Sequence, residues 1–206
     1  MPKSISFLIL AMIFGTALTL FSIYTNLPTG WIGGIFIIGW TLVTRRRWLK
    51  LQKTTGLEPG GPERSLRLYA VGTALLFGHS ITAYAFPNID LHVGSGNSLA
   101  IDSWTMIAAF ILSTFIIRKD SKIRDERDAA IKAQGSKAGY VSLITILITF
   151  SFALGFLPPS VVENYSYFTI ANFQITIVLA SLLIKYAGEL LAYAQDTKAS
   201  FVLETG

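Results

Sequence analysis

The sequence predicts an all-α membrane helix bundle: six transmembrane helices arranged as three hairpins, with both termini cytoplasmic. Three observations predict it. First, Lys and Arg fall in tight clusters that leave residues 4–44, 68–117 and 138–184 without any positive charge. Each of these stretches is apolar and about twice the roughly 20 residues that one bilayer-crossing helix needs. Second, the linkers on one side hold the basic residues, whereas Asp90, Asp102 and Glu163 mark the other side without a Lys or Arg among them. Cytoplasmic loops retain Lys and Arg, which orients the bundle. Third, Tyr24, Trp31, Tyr84, Trp104, Tyr165 and Tyr167 fall at one boundary, and Trp48, Tyr69, Tyr140, Tyr186 and Tyr193 at the other. Two aromatic belts are what amphipathic rings form at the two interfaces of a bilayer.

The crossings follow in order. The first is expected over 5–24. Lys3 and the apolar run after it have the polarity of a signal peptide, but no small-x-small cleavage site follows, so a retained helix is expected. The turn at Asn26, Pro28 and Gly30 leads into the second crossing, 31–48. Its apolar part is short, so the helix is expected to continue through Arg45, Arg46 and Arg47, whose side chains snorkel to the headgroups while Trp48 anchors there.

A polar linker, 49–67, contains Pro59-Gly60-Gly61-Pro62, which breaks a helix. Pro62 and Glu63 then suit the first turn of a new one. The third and fourth crossings are expected over 68–86 and 99–117. The linker 118–137 is the most charged stretch, with opposite charges at helical spacing, and Gly135-Ser136 offers a break before the fifth crossing, 139–157. Pro158-Pro159 ends that helix, and the sixth is expected over 168–190, followed by a polar tail.

A formal net charge of +5 would point a soluble chain toward nucleic acid. Here topology explains it, and no nucleic-acid partner is expected. The absence of Cys excludes disulfides, thiol chemistry and thiolate metal sites. His79 and His92 are the only histidines, and no nucleophile–base pair, phosphate-binding Gly loop or zinc-protease helix appears. Neither a cofactor nor catalysis is expected.

The polar candidates are few. His79, about half-way along the third crossing, reads either as a proton relay or ligand contact, or as a neutral imidazole hydrogen-bonded between helices. Ser80 stands beside it. Asn172 and Gln174 in the sixth crossing read as interhelical hydrogen bonds or as the lining of a polar route. Lys185 and Glu189, four apart, read as an exposed interfacial pair. Asp90, His92 and Asp102 match no metal-ligand spacing and read as a solvated loop with Asp102 near a helix start. Gly30 and Gly34 form a small-xxx-small pair, expected to serve packing within the bundle rather than dimerisation.

The segment Asp125-Glu126-Arg127-Asp128-Ala129-Ala130-Ile131-Lys132, running through Ala138-Gly139-Tyr140 into an apolar helix, resembles small prokaryotic membrane proteins of unknown function. In these an Asp-Glu-Arg-acidic motif links two transmembrane hairpins. The resemblance covers about the last two-thirds of the chain. It implies a location in the prokaryotic inner membrane and brings no activity with it. It makes Arg124, Asp125, Glu126, Arg127 and Asp128 the cytoplasmic positions of most interest, beside the plainer reading of a salt-bridged, solvated helix. The expected function is that of a non-enzymatic regulatory or assembly partner acting through 45–53 and 118–137. Its partners would be the lipid bilayer, a cytoplasmic or membrane protein, or a second copy of the chain. The alternative is a small-solute transporter or channel subunit with a route past His79, Ser80, Asn172 and Gln174. A third reading has the basic rim engage anionic lipid headgroups.

Overall fold

The computed structural model describes residues 3–55, 61–84, 98–118 and 126–205. Among them the chain is all-α, without a strand: α1 (Lys3–Thr25), α2 (Gly30–Thr55), α3 (Gly61–Tyr84), α4 (Ser98–Arg118), α5 (Glu126–Phe156), the single turn α6 (Pro159–Val162) and α7 (Tyr167–Thr205). Local chemistry sets the ends. Asn26 takes a positive φ of 54° just past α1, a conformation Asn tolerates better than most residues and which stops the helix. Pro158 and Pro159 follow α5, and Pro159 opens α6 where no N–H is needed. The Thr169 N–H donates to Ser166 Oγ at 3.1 Å, capping α7.

Four segments are long and apolar enough to cross a membrane: Ile5–Thr25, Leu99–Ile117, Glu126–Phe156 and Thr169–Gln195. α2 and α3 join shorter apolar stretches to charged ends, Arg45 to Lys53 in one and Glu63 to Arg67 in the other. The burial pattern is that of a chain built for an apolar solvent. Fully buried side chains include Thr19, Ser22, Thr41, Thr73, His79, Asp102 and Ser113, while Phe7, Leu10, Ile13, Phe21, Phe115, Phe152 and Phe156 face outward. In lipid, hydrocarbon outside costs nothing; of the buried polar groups Thr19, His79 and Asp102 bond across helices, whereas Thr41 donates to the Ile37 carbonyl of its own helix.

α2 runs on to Thr55, past the expected end at Trp48, whereas α3 begins at Gly61, beside the start expected at Pro62 and Glu63, and α5 begins at Glu126, within the stretch where opposite charges at helical spacing predict helix. Gly135-Ser136 makes no break: α5 is continuous there. Gly135 serves proximity instead, because a Cβ on it would meet the Glu189 side chain of α7. The expected polar tail continues α7 as helix to Thr205.

The helix partners also differ from simple hairpins. α5 packs on α7 as a hairpin should, but α1 packs chiefly on α3 and α2 on α4, so the first two hairpins interlock. Small residues permit this. A Cβ on Gly15 would strike the Leu75 carbonyl, and one on Gly78 the Met12 carbonyl, so α1 and α3 touch backbone to backbone. Gly30 lies against the Asp102 backbone, and a Cβ on Gly34 would stand 3.2 Å from Ala109 Cβ, which assigns that pair to the α2–α4 contact. α3 is central, since it also packs on α7. One core cluster joins Leu8, Ala70, Ala74, Ile131, Leu190 and Tyr193; a second joins Ile37, Leu75, Leu76, Met106 and Ile117.

Candidate functional site

The polar groups collect at two ends of the bundle, and the two collections differ in kind. The first lies where α1, α2, α3 and α4 meet. His79, in the last two turns of α3, is buried. Its Nδ1 is 2.7 Å from Thr19 Oγ1 of α1, and its Nε2 is 2.7 Å from Ser103 Oγ of α4. Both hydroxyls also reach carbonyls of their own helices: Thr19 Oγ1 lies 2.8 Å from the Gly15 oxygen and Ser103 Oγ 2.9 Å from the Leu99 oxygen. A neutral imidazole has one donor and one acceptor. One hydroxyl therefore keeps its carbonyl and accepts from the ring, and the other turns its proton to the bare ring nitrogen.

Asp102 stands beside Ser103, 1% exposed, and bears electrostatically on His79. It is not part of a solvated loop. Its Oδ1 accepts the Gly30 N–H at 2.5 Å and its Oδ2 the Thr29 hydroxyl at 3.2 Å. Those groups begin α2, so a carboxylate from α4 caps a neighbouring helix and meets the positive end of its dipole. Thr29 also reaches the Leu18 carbonyl at 3.1 Å, tying α1 into the same knot. The result is a lock among four helices.

The second collection lies where the cationic residues gather, the basic end. There α3, α5 and α7 surround a cavity of about 510 Å³ whose chemistry comes from Tyr69, Asp128, Lys132, Lys185, Glu189 and Tyr193. Glu189 is 7% exposed, and among the described residues its Oε1 has no hydrogen-bond partner. The exposed pair expected with Lys185 does not form: the Lys185 ammonium lies 5.6 Å from the Tyr186 ring centre, and Glu189 turns inward against Gly135. Lys132 and Lys185 both bear electrostatically on the carboxylate. Tyr193 donates to Asp128 Oδ1 at 2.5 Å, and the Arg127 guanidinium sits 5.8 Å from the Tyr193 ring centre. The start of α5 is thereby held on α7.

The predicted site residues divide accordingly. Glu126 and Arg127 are exposed, Asp128 is half-buried and lines the cavity, and Arg124 and Asp125 lie outside the described residues, as do Asp90 and His92. His79 joins Thr19 and Ser103. Ser80 and Asn172 are partly buried and Gln174 is exposed; among the described residues no hydrogen bond links any of them to the His79 ring. Trp48, expected as a headgroup anchor, is buried, with the Arg64 guanidinium 5.4 Å from its ring centre. The sequence reading missed Thr19, Thr29, Ser103 and Asp102 as one unit, and Glu189 as a buried group. Among the described residues no group of three or more His, Asp or Glu stands together as metal ligands.

Comparison with known families, with curated proteins and with solved structures finds no match to this chain.

Proposed function

We propose that the chain is a six-crossing inner-membrane protein with both ends in the cytoplasm, and that it acts without catalysis as a regulatory or assembly partner. The basic end is its working face. The observation that carries this reading is Glu189: a buried carboxylate oxygen without a partner among the described residues, at the wall of a cavity framed by Lys132, Lys185 and Asp128. A buried acceptor left unmade costs free energy, and a group that persists in that state is suited to meet a donor from outside. A protein segment presenting a cationic or amide donor beside a carboxylate would complement Glu189 and the two lysines together. Asp128, the last residue of the Asp-Glu-Arg-acidic motif, lines the cavity with Lys132, so one end of the motif reaches it.

Photocrosslinking tests it. A photoreactive residue in place of Ala133, which lines the cavity, is expected to give a discrete adduct in native membranes. Glu189→Leu and Lys132→Glu should each abolish that adduct, whereas the same probe at the outward-facing Leu10 gives lipid products alone. An adduct that survives both substitutions, or none at all, removes the basis of the reading. The transporter alternative has less behind it: both His79 ring nitrogens are engaged, and His79, Ser80, Asn172 and Gln174 line neither this cavity nor the smaller one described next.

A further inference from the structure

We infer that a crevice between α1, α2, α3 and α7 is a binding site for a single anionic phospholipid. The crevice has a volume of about 290 Å³, and its walls include Phe7, Leu8, Trp40, Arg47, Arg67 and Leu190. Its two ends differ chemically. One is hydrocarbon from α1 and α7, and Phe7 is also exposed on the outer surface, so the crevice opens toward the acyl region. The other carries two guanidinium groups. Arg47 is exposed and has no ion-pair or hydrogen-bond partner among the described residues. Arg67 gives one nitrogen to Glu63 at 2.6 Å, which leaves most of its five N–H donors for a second anion. Guanidinium forks match the geometry of a phosphate better than any other side chain.

Trp40 adds its ring to the apolar wall. Its indole Nε1 is turned away from solvent and, among the described residues, has no acceptor. Its ring is held against Phe7, with centroids 5.2 Å apart, and against Phe36 at 6.5 Å, so it is fixed rather than free to turn toward water. Trp40 precedes Arg47 by two helical turns, roughly 10 Å along the axis, which puts the indole on the acyl side of the guanidinium. An amphiphile with a phosphate at one end and an acyl chain beyond satisfies both features. The phosphate meets Arg47 and Arg67, and the chain lies along Phe7, Leu8, Trp40 and Leu190. Free phosphate would leave the apolar wall unmet. Glu63, beside Arg67, disfavours a headgroup carrying two adjacent negative charges and favours a singly charged one. Such binding presupposes that the chain sits in a bilayer, as proposed above, and is independent of any partner at the larger cavity.

Bromolipid quenching tests it. A variant with Trp31→Phe, Trp48→Phe and Trp104→Phe keeps Trp40 as its sole indole. It is reconstituted into phosphatidylcholine vesicles, with flotation confirming insertion, and titrated with acyl-brominated phosphatidylglycerol or acyl-brominated phosphatidylcholine. Quenching by the anionic lipid is expected to saturate at a content about tenfold lower than for the zwitterionic one. Adding Arg47→Gln and Arg67→Gln should bring the two curves together. Identical curves before those substitutions overturn the assignment, whatever the fold of the Arg variants. Displacement of the brominated phosphatidylglycerol by inorganic phosphate would also overturn it, by showing that the site takes a free anion.

Discussion

The end of the bundle around His79 and Asp102 and the end around Glu189 each bury a carboxylate and solve opposite problems. At the first, every polar atom described above finds a partner within the chain: Asp102 spans Thr29 and Gly30, and His79 spans Thr19 and Ser103. At the second, two acids, two lysines and three tyrosines surround open space, and among the described residues a buried carboxylate oxygen stays unpaired. A satisfied polar network specifies one arrangement of helices, whereas an unsatisfied one keeps interaction free energy in reserve for something that is not yet there. The same distinction separates a residue that looks functional because it is polar and buried, such as His79, from one whose surroundings are unfinished, such as Glu189.

Substitutions break this comparison from either side. The largest effect is expected at the α1–α3 contact that supports the closed end. Gly78→Leu would drive a side chain into the Met12 backbone, and backbone cannot yield as a flexible side chain does. A loss of about 3 kcal/mol or more is expected, read as a collapse of the thermal unfolding midpoint in detergent. The exposed Gly155, with no atom within 4 Å of a Cβ built there, is the control, and Gly155→Ala should change little.

A smaller but more discriminating effect separates the two partners of the lock. Asp102→Ala strands the Gly30 N–H at the start of α2 and should cost about 2 kcal/mol. His79→Leu leaves Thr19 and Ser103 with their own helix carbonyls as acceptors, so nothing is stranded and a cost of about 1 kcal/mol is expected. Equilibrium unfolding of both variants checks the order. If His79→Leu proves the more damaging, His79 rather than Asp102 organises the closed end, and the case for a purely structural histidine fails.

Much of the architecture was legible because it depends on one-dimensional signals. Blocks of hydrocarbon, gaps in positive charge and Pro-marked turns predict an all-α chain with membrane-length helices, and Gly30 and Gly34 were expected to serve internal packing. The interlocking of α1 with α3 and α2 with α4 was not legible, because helices apolar all round carry no stripe that names a partner. The site was legible only in part. Asp102 reads as part of a solvated loop near a helix start, which places it close to its true position in α4; its burial is decided by Gly30, 72 positions away. Lys185 and Glu189 have the spacing of a surface pair, and spacing cannot show that Gly135 on another helix opens a recess for the carboxylate.

The smallest expected effect is also the one with the opposite sign. Glu189→Leu keeps a side chain of similar reach against Gly135 and removes a buried oxygen that has no partner among the described residues. It strands no buried cation, because Lys132 is exposed and Lys185 rests on the Tyr186 ring. The variant should therefore be about 1 kcal/mol more stable than the parent chain, while it loses the crosslink expected at the cavity. A gain in stability joined to a loss of binding is the signature of a group held for function, and no residue of the closed end should show it. If Glu189→Leu instead destabilises the chain as Asp102→Ala does, the carboxylate belongs to the scaffold and the contrast between the two ends disappears.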